Sequence, residues 1–148
     1  MFRAAMRADH RALGRLRCEW AGAPEEEEFL QSFEEWLLAH AATHQPFVAL
    51  DGDEPVGMAT LALLSRVPDV GQLSRLSADL QSVYVRPAHR GRGIGQGLVL
   101  AVLRHAWELG VERVTVSSSG KAVTLYERAG FVSSRRLLEI RASDIPSL

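Results

Sequence analysis

Lysine is almost missing from this chain. Of its 148 residues, 17 are Lys or Arg, and Lys121 is the one lysine. The skew fits a GC-rich, bacterial genome. It also bears on nucleotide binding, because a P-loop needs Gly-Lys-Ser/Thr inside its glycine turn. Cysteine is equally scarce. Cys18 stands alone, which excludes an internal disulfide and fits a reducing compartment. No apolar run approaches the roughly 20 residues needed to span a bilayer. Charge arrives early, at Arg3, Arg7 and Asp9, and no signal-peptide core precedes it. The net charge is −1, so no global basic field favours nucleic acid or a membrane surface. Repeats, low-complexity tracts and linkers are absent. A cytoplasmic protein is expected, and any anion site in it must be local.

What is present describes one folded unit. The chain is 47% hydrophobic and 24% charged, and its length suits a single domain over 1–148. Residues 2–6 predict a short strand. From Ala8 the pattern turns helical, with Leu13, Leu16 and Trp20 on one face. "AGAP" breaks it, and Pro24 opens a second helix whose first turn carries Glu25 to Glu28, where the dipole favours negative charge. Phe29, Phe33, Trp36 and Leu37 form its predicted buried face. "PFVAL", "DGDEP" and "VGMATLALL" read as strand, tight turn, strand. Residues 65–77 read as a loop and 80–85 as a strand ended by Pro87. A helix over 94–109 stops at Gly110. "VERVTVSS" is another strand, 122–128 a short helix, and 131–140 the last strand. The three tryptophans are expected in the core. Helices alternating with strands predict an α/β (α+β) domain with one mixed central sheet and about four flanking helices.

The densest signal is "VYVRPAHRGRGIGQGL", over 83–98. A strand ends at a proline, glycines follow at 91, 93, 95 and 97, and a helix begins. Glycines before a helix let the backbone approach a ligand and adopt positive φ. The helix start offers unpaired N–H groups and a partial positive charge. Arg90 and Arg92 add full charges, and the whole describes a pyrophosphate cradle. Lys121 lies too far away for a P-loop. The Rossmann pattern G-x-G-x-x-G fails from either possible start.

Arg90-x-x-Gly93-x-Gly95 after "V-x-P" instead resembles the acetyl-CoA loop of the GNAT superfamily of N-acetyltransferases. "SSSGKAVTLYERAGF", over 117–131, resembles that family's second signature through Ala122, Tyr126, Gly130 and Phe131. The two occur in the family's order, one helix and one strand apart. The resemblance covers nearly the whole chain and implies a single-domain GNAT fold with a shortened C-terminal strand region. It implies acetyl-CoA as cosubstrate, with no metal. Val83, Tyr84 and Val85 would bond the pantetheine arm, and Arg90, Gly91, Arg92, Gly93, Ile94, Gly95 and Gln96 would hold the pyrophosphate. Ser119 falls where the family often carries an asparagine that contacts the cofactor arm. Serine reaches less far.

The implied chemistry is direct attack of a primary amine on the thioester in a ternary complex. An alkylammonium, with a pKa of about 10.4, must first lose a proton. A backbone N–H near Val83 would polarise the carbonyl. Tyr126 would protonate the leaving thiolate, whose pKa is about 8.5 in water. Asp79 is the candidate base and Glu19 a weaker one, since the family's alternative position on the next strand is apolar here. The acceptor is a small molecule or a protein amine, and a homodimer is expected to complete its pocket. A non-catalytic acyl-CoA sensor is the competing reading. RNA binding through Arg86, Arg90 and Arg92 lacks an aromatic platform. His40 and His44 lack further ligands for a metal and read as helix-end residues.

Overall fold

The computed structural model describes residues 1–147. Five strands form one sheet in chain order: β1 (Phe2–Ala4), β2 (His44–Asp51), β3 (Glu54–Ser65), β4 (Leu76–Val85) and β5 (Val111–Val116). Neighbours are antiparallel except β4 and β5, which run parallel. A parallel pair needs a crossover. Here α3 (Ile94–Glu108) supplies it, and α4 (Val123–Arg128) follows β5. Helices α1 (His10–Ala21) and α2 (Glu27–Ala39) sit between β1 and β2 in sequence.

The sheet divides the core in two. On one face Phe47, Ala59, Leu61, Ala78 and Leu80 pack against Leu98, Val99, Val102 and Ala106 of α3 and Tyr126 of α4. On the other, Val48, Met58 and Tyr84 pack against Leu13 and Leu16 of α1 and Leu37 of α2. Successive strand residues alternate between these faces, so Phe47 and Val48 serve different cores. Asp9 fastens β1 to the helical layer: the Arg3 guanidinium donates to both of its oxygens, at 2.6 and 3.0 Å, and the Met6 N–H donates at 2.7 Å.

Several boundaries differ from expectation. Helix α2 starts at Glu27 rather than at Pro24, because Glu26 is extended, with φ −79° and ψ 132°, and caps the helix. Strand β4 begins at Leu76, inside the expected loop, since Leu76 pairs with Ser65 on one side and Val111 on the other. The largest correction lies at 131–140, which forms no strand. Leu137 and Leu138 are adjacent, so any strand there would turn one of them away from the sheet. Leu138 is 86% exposed, and β5 is an edge strand among the described residues. The tryptophans also lie outside the core. Trp20 and Trp36 are each 44% exposed. Trp107, about 100° around α3 from the buried Ala106, is 79% exposed.

Among the described residues, no helix is long and apolar enough to cross a membrane.

Candidate active site

The site begins where two parallel strands part. Pairing between β4 and β5 ends at Leu80 and Val116, yet β4 runs on to Val85. The Arg86 N–H donates to the Val56 carbonyl of β3 at 2.9 Å. Backbone groups alternate sides along a strand. Tyr84 therefore uses its backbone in the β3 ladder, while Val83 and Val85 direct theirs into the gap beside β5. The Val85 carbonyl accepts from Arg90 Nε at 2.8 Å. Val83 has no strand neighbour on that side among the described residues.

A bulge sits just before this gap. Met58 pairs with Tyr84 but Thr60 pairs with Gln81, so one β4 residue is extra. Ser82 has φ 54°, the one positive value at a non-glycine position among the described residues. Such a conformation costs on the order of 1 kcal/mol and persists only where the surroundings impose it. Leu80 and Val83 face α3, so Gln81 and Ser82 both turn to the α1/α2 face.

The glycine turn has the expected backbone. Gly91 and Gly93 have φ values of 73° and 77°, and Gly93 caps α3. The Gly97 N–H is the first to find a helical acceptor, the Gly93 carbonyl at 2.9 Å. The N–H groups of Ile94, Gly95 and Gln96 thus have no partner inside the helix. The charges are less free. Arg90 folds back over the Tyr84 ring, its guanidinium carbon 5.6 Å from the ring centre. Arg92 Nη1 lies 3.3 Å from Asp51, and His89 Nε2 lies 3.6 Å from the same carboxylate oxygen. Backbone dipoles, with two tethered arginines beside them, make the anion cradle.

Tyr126 lies in the same core as Leu80 and Val83, edge-on to Phe131 at 5.6 Å between ring centres. Burial pushes its phenol up from the ordinary value near 10. It is therefore a proton donor at neutral pH. Ser119 caps the short 3-10 turn before α4, and its carbonyl accepts from Ser118 Oγ at 2.6 Å. Asp79 is not a strand-end residue but sits inside β4. Thr115 Oγ1 and Gln81 Nε2 each donate to it at 3.0 Å. Both oxygens of Glu19 are engaged, one by Tyr84 Oη and the other by Arg86 Nε, each at 2.9 Å. Burial, then this bond to Glu19, holds the Tyr84 phenol up and protonated.

Sequence reading missed the two donors to Asp79 and the Ser82 bulge. Thr115 stands 36 positions from Asp79 and meets it only through strand pairing. His40 does end α2, with Nδ1 2.8 Å from the Trp36 carbonyl. Arg86 is taken up by Glu19 and Glu54, so Arg86, Arg90 and Arg92 form no free basic surface.

Comparison with known proteins places this geometry. Glucosamine 6-phosphate N-acetyltransferase of Trypanosoma brucei brucei is 28% identical over 104 residues, 70% of this chain and 65% of that protein. Glucosamine 6-phosphate N-acetyltransferase 1 of Oryza sativa subsp. japonica is 32% identical over 107 residues, 72% of this chain and 64% of that protein. The chain thus spans just under two thirds of the length of both. A predicted acetyltransferase from Clostridium acetobutylicum, solved with acetyl-CoA, has the same fold, with a TM-score of 0.76 at 17% identity over 98% of this chain and 97% of its own. The Acetyltransferase (GNAT) family profile matches residues 10–131, from the start of α1 through the cradle to the turn after Tyr126. This chain belongs to the GNAT family of acetyltransferases.

Proposed function

We propose that this chain transfers the acetyl group of acetyl-CoA to the primary amine of a small molecule, by direct attack in a ternary complex. The observation that carries the reading is the backbone of Val83 and Val85, turned into the gap beside β5 with only the Val85 carbonyl engaged, by Arg90, next to the first N–H groups of α3, which have no helical partner. A pyrophosphate suits the N–H groups over 91–96, with Arg90 and Arg92 as flanking charge. The pantetheine arm then adds to β4 like a strand, with Ser119 as a further contact. The thioester carbonyl comes within reach of the Val83 N–H, which stabilises the developing oxyanion. Asp79 accepts the amine's proton, directly or through water. Tyr126 protonates the departing thiolate.

Acetyl-CoA is expected to raise the melting temperature by mass action, and an amine panel to give thiol release. No shift at millimolar acetyl-CoA removes the reading. A shift without release from any amine favours the sensor instead.

The enzyme works in the cytoplasm, where the buried Cys18 thiol stays reduced. It works as a homodimer, because the edge of β5 and the apolar side chains over 132–140 are uncovered among the described residues of one chain. Light scattering is expected to give twice the chain mass, and a monomeric mass would dismiss the dimer.

A further inference from the structure

We infer that the acceptor is an α-amino acid with an apolar side chain, its carboxylate held by Arg17 and its side chain lodged beside Trp36. The inference rests on the transferase reading and names its second substrate.

A cavity of about 100 Å³ lies between the sheet and helices α1 and α2. Its floor runs from Gln81 and Ser82 on β4, across Met58 and Thr60 on β3, to His44 and Pro46 on β2. That is two strand spacings, about 10 Å. Its β4 end is the bulge, next to Val83. The cradle and Tyr126 belong to the opposite face of the sheet. A thioester brought along β4 from the α3 face would therefore meet, at the bulge, an amine standing in this cavity.

The lining defines the amine. Leu13, Phe33, Trp36 and Leu37 are its helical walls. These walls suit an apolar side chain, while the neutral polar groups, Thr60, Gln81, Ser82 and His44, are confined to the floor. No Asp or Glu lines the cavity among the described residues, so nothing there would hold a second ammonium. Arg17 is its one permanent cation. Unlike Arg11 and Arg15 on the same helix, Arg17 is in no ion pair among the described residues. Its guanidinium carbon lies 4.6 Å from the centre of the Trp20 ring, a stacked pose that leaves the planar fork for a carboxylate. One cation matches a single carboxylate better than a phosphate dianion. Burial, then the neighbouring His40, holds the His44 imidazole down and uncharged near neutral pH.

Neighbours along the cavity fix the order of groups. Arg17 follows Leu13 by one turn of α1 and lies over Trp20, which stacks on Tyr84 of β4, so it belongs to the β4 end of the cavity, where Gln81 and Ser82 stand. Asp79, bonded to Gln81, shares their face of β4. Carboxylate and amine thus belong at the bulge end, on one carbon, and the side chain extends under Phe33 toward Trp36. Trp36 is itself stacked on His40, with ring centres 4.0 Å apart, so its ring is held in place.

The test compares thiol release from acetyl-CoA with L-phenylalanine, L-leucine, L-methionine, phenethylamine (which lacks the carboxylate) and glucosamine 6-phosphate. The best amino acid is expected to exceed phenethylamine at least tenfold in kcat/KM. Arg17→Gln should bring that ratio to within about twofold while acetyl-CoA affinity, measured by calorimetry, stays unchanged. Trp36→Ala should raise KM for the amino acid more than it lowers kcat. A preference for glucosamine 6-phosphate overturns the inference. So does an unchanged ratio in Arg17→Gln, or acetyl-CoA binding with turnover of none of the three amino acids. Failure of acetyl-CoA itself to bind overturns the transferase reading, and this inference falls with it.

Discussion

Tyr126→Phe is expected to lower kcat about 100-fold and to leave KM for acetyl-CoA within about twofold. General acid catalysis contributes roughly 10²–10⁴-fold, and the lower end applies because a thiolate leaves more readily than an alkoxide. In the proposed binding mode the cofactor is held by the backbone of β4 and the start of α3, neither of which the phenol oxygen supports. Burial favours the neutral form of any acid. It pushes the Tyr126 phenol up, and a CoA thiol released beside it should move the same way, so the proton transfer is not made steeply uphill. The sign of the pH effect follows. Because the shift is upward, the donor form persists to higher pH than in a free tyrosine, so the alkaline limb assigned to Tyr126 lies above the ordinary phenol range and should vanish in the phenylalanine variant. Asp79→Asn, by contrast, should lower kcat and leave that alkaline limb in place. An unchanged kcat in Tyr126→Phe would remove the phenol from the mechanism.

Gly93→Val should weaken acetyl-CoA binding about 30-fold, or ~2 kcal/mol. The position has φ 77°, and nothing lies within 4 Å of the place a Cβ would take, so the cost comes from the backbone and not from a clash. A left-handed conformation costs an L-residue roughly 1–2 kcal/mol, and for a β-branched side chain it is an outlier. Relief requires the peptide before α3 to rotate, which turns the Ile94 N–H away from the phosphate. Gly71 provides the control. It has φ 79° and equal open space, but lies in the loop between β3 and β4. Gly71→Val should lower the melting temperature by a comparable amount with the acetyl-CoA affinity unaltered. Equal Kd values for Gly93→Val and the parent protein would refute the cradle.

The parts of the site that were legible in the sequence are local. Positive φ at Gly91 and Gly93, the helix start at Ile94 and the strand stop at Pro87 follow from residue types within a dozen positions. What escaped depends on pairing between distant segments. Serine carries no signal for the φ of Ser82; the bulge follows from the register of β3 against β4. Thr115 meets Asp79 only through pairing of β4 with β5. Asp79 itself looked like a strand end because Leu76 and Ser77 sit in a stretch with Pro68 and Gly71 nearby. The expected last strand failed for a different reason. Its apolar residues, Leu137 and Leu138, are adjacent and lack the alternation one buried face requires. Helical spacing placed the tryptophans near apolar faces, but it could not say which flank of each stripe the indole would occupy.

Those misplaced tryptophans make the molecule its own optical probe. Trp20 is stacked on Tyr84 at 5.5 Å and Trp36 walls the cavity, both on the α1/α2 face, whereas Trp107 lies on α3 across the sheet. None of the three lines the glycine turn. Indole emission shifts when water leaves the ring, so Trp20 and Trp36 report occupancy of the α1/α2 face, while Trp107, which lines the hollow beside β5 and Tyr126, reports separately on the other.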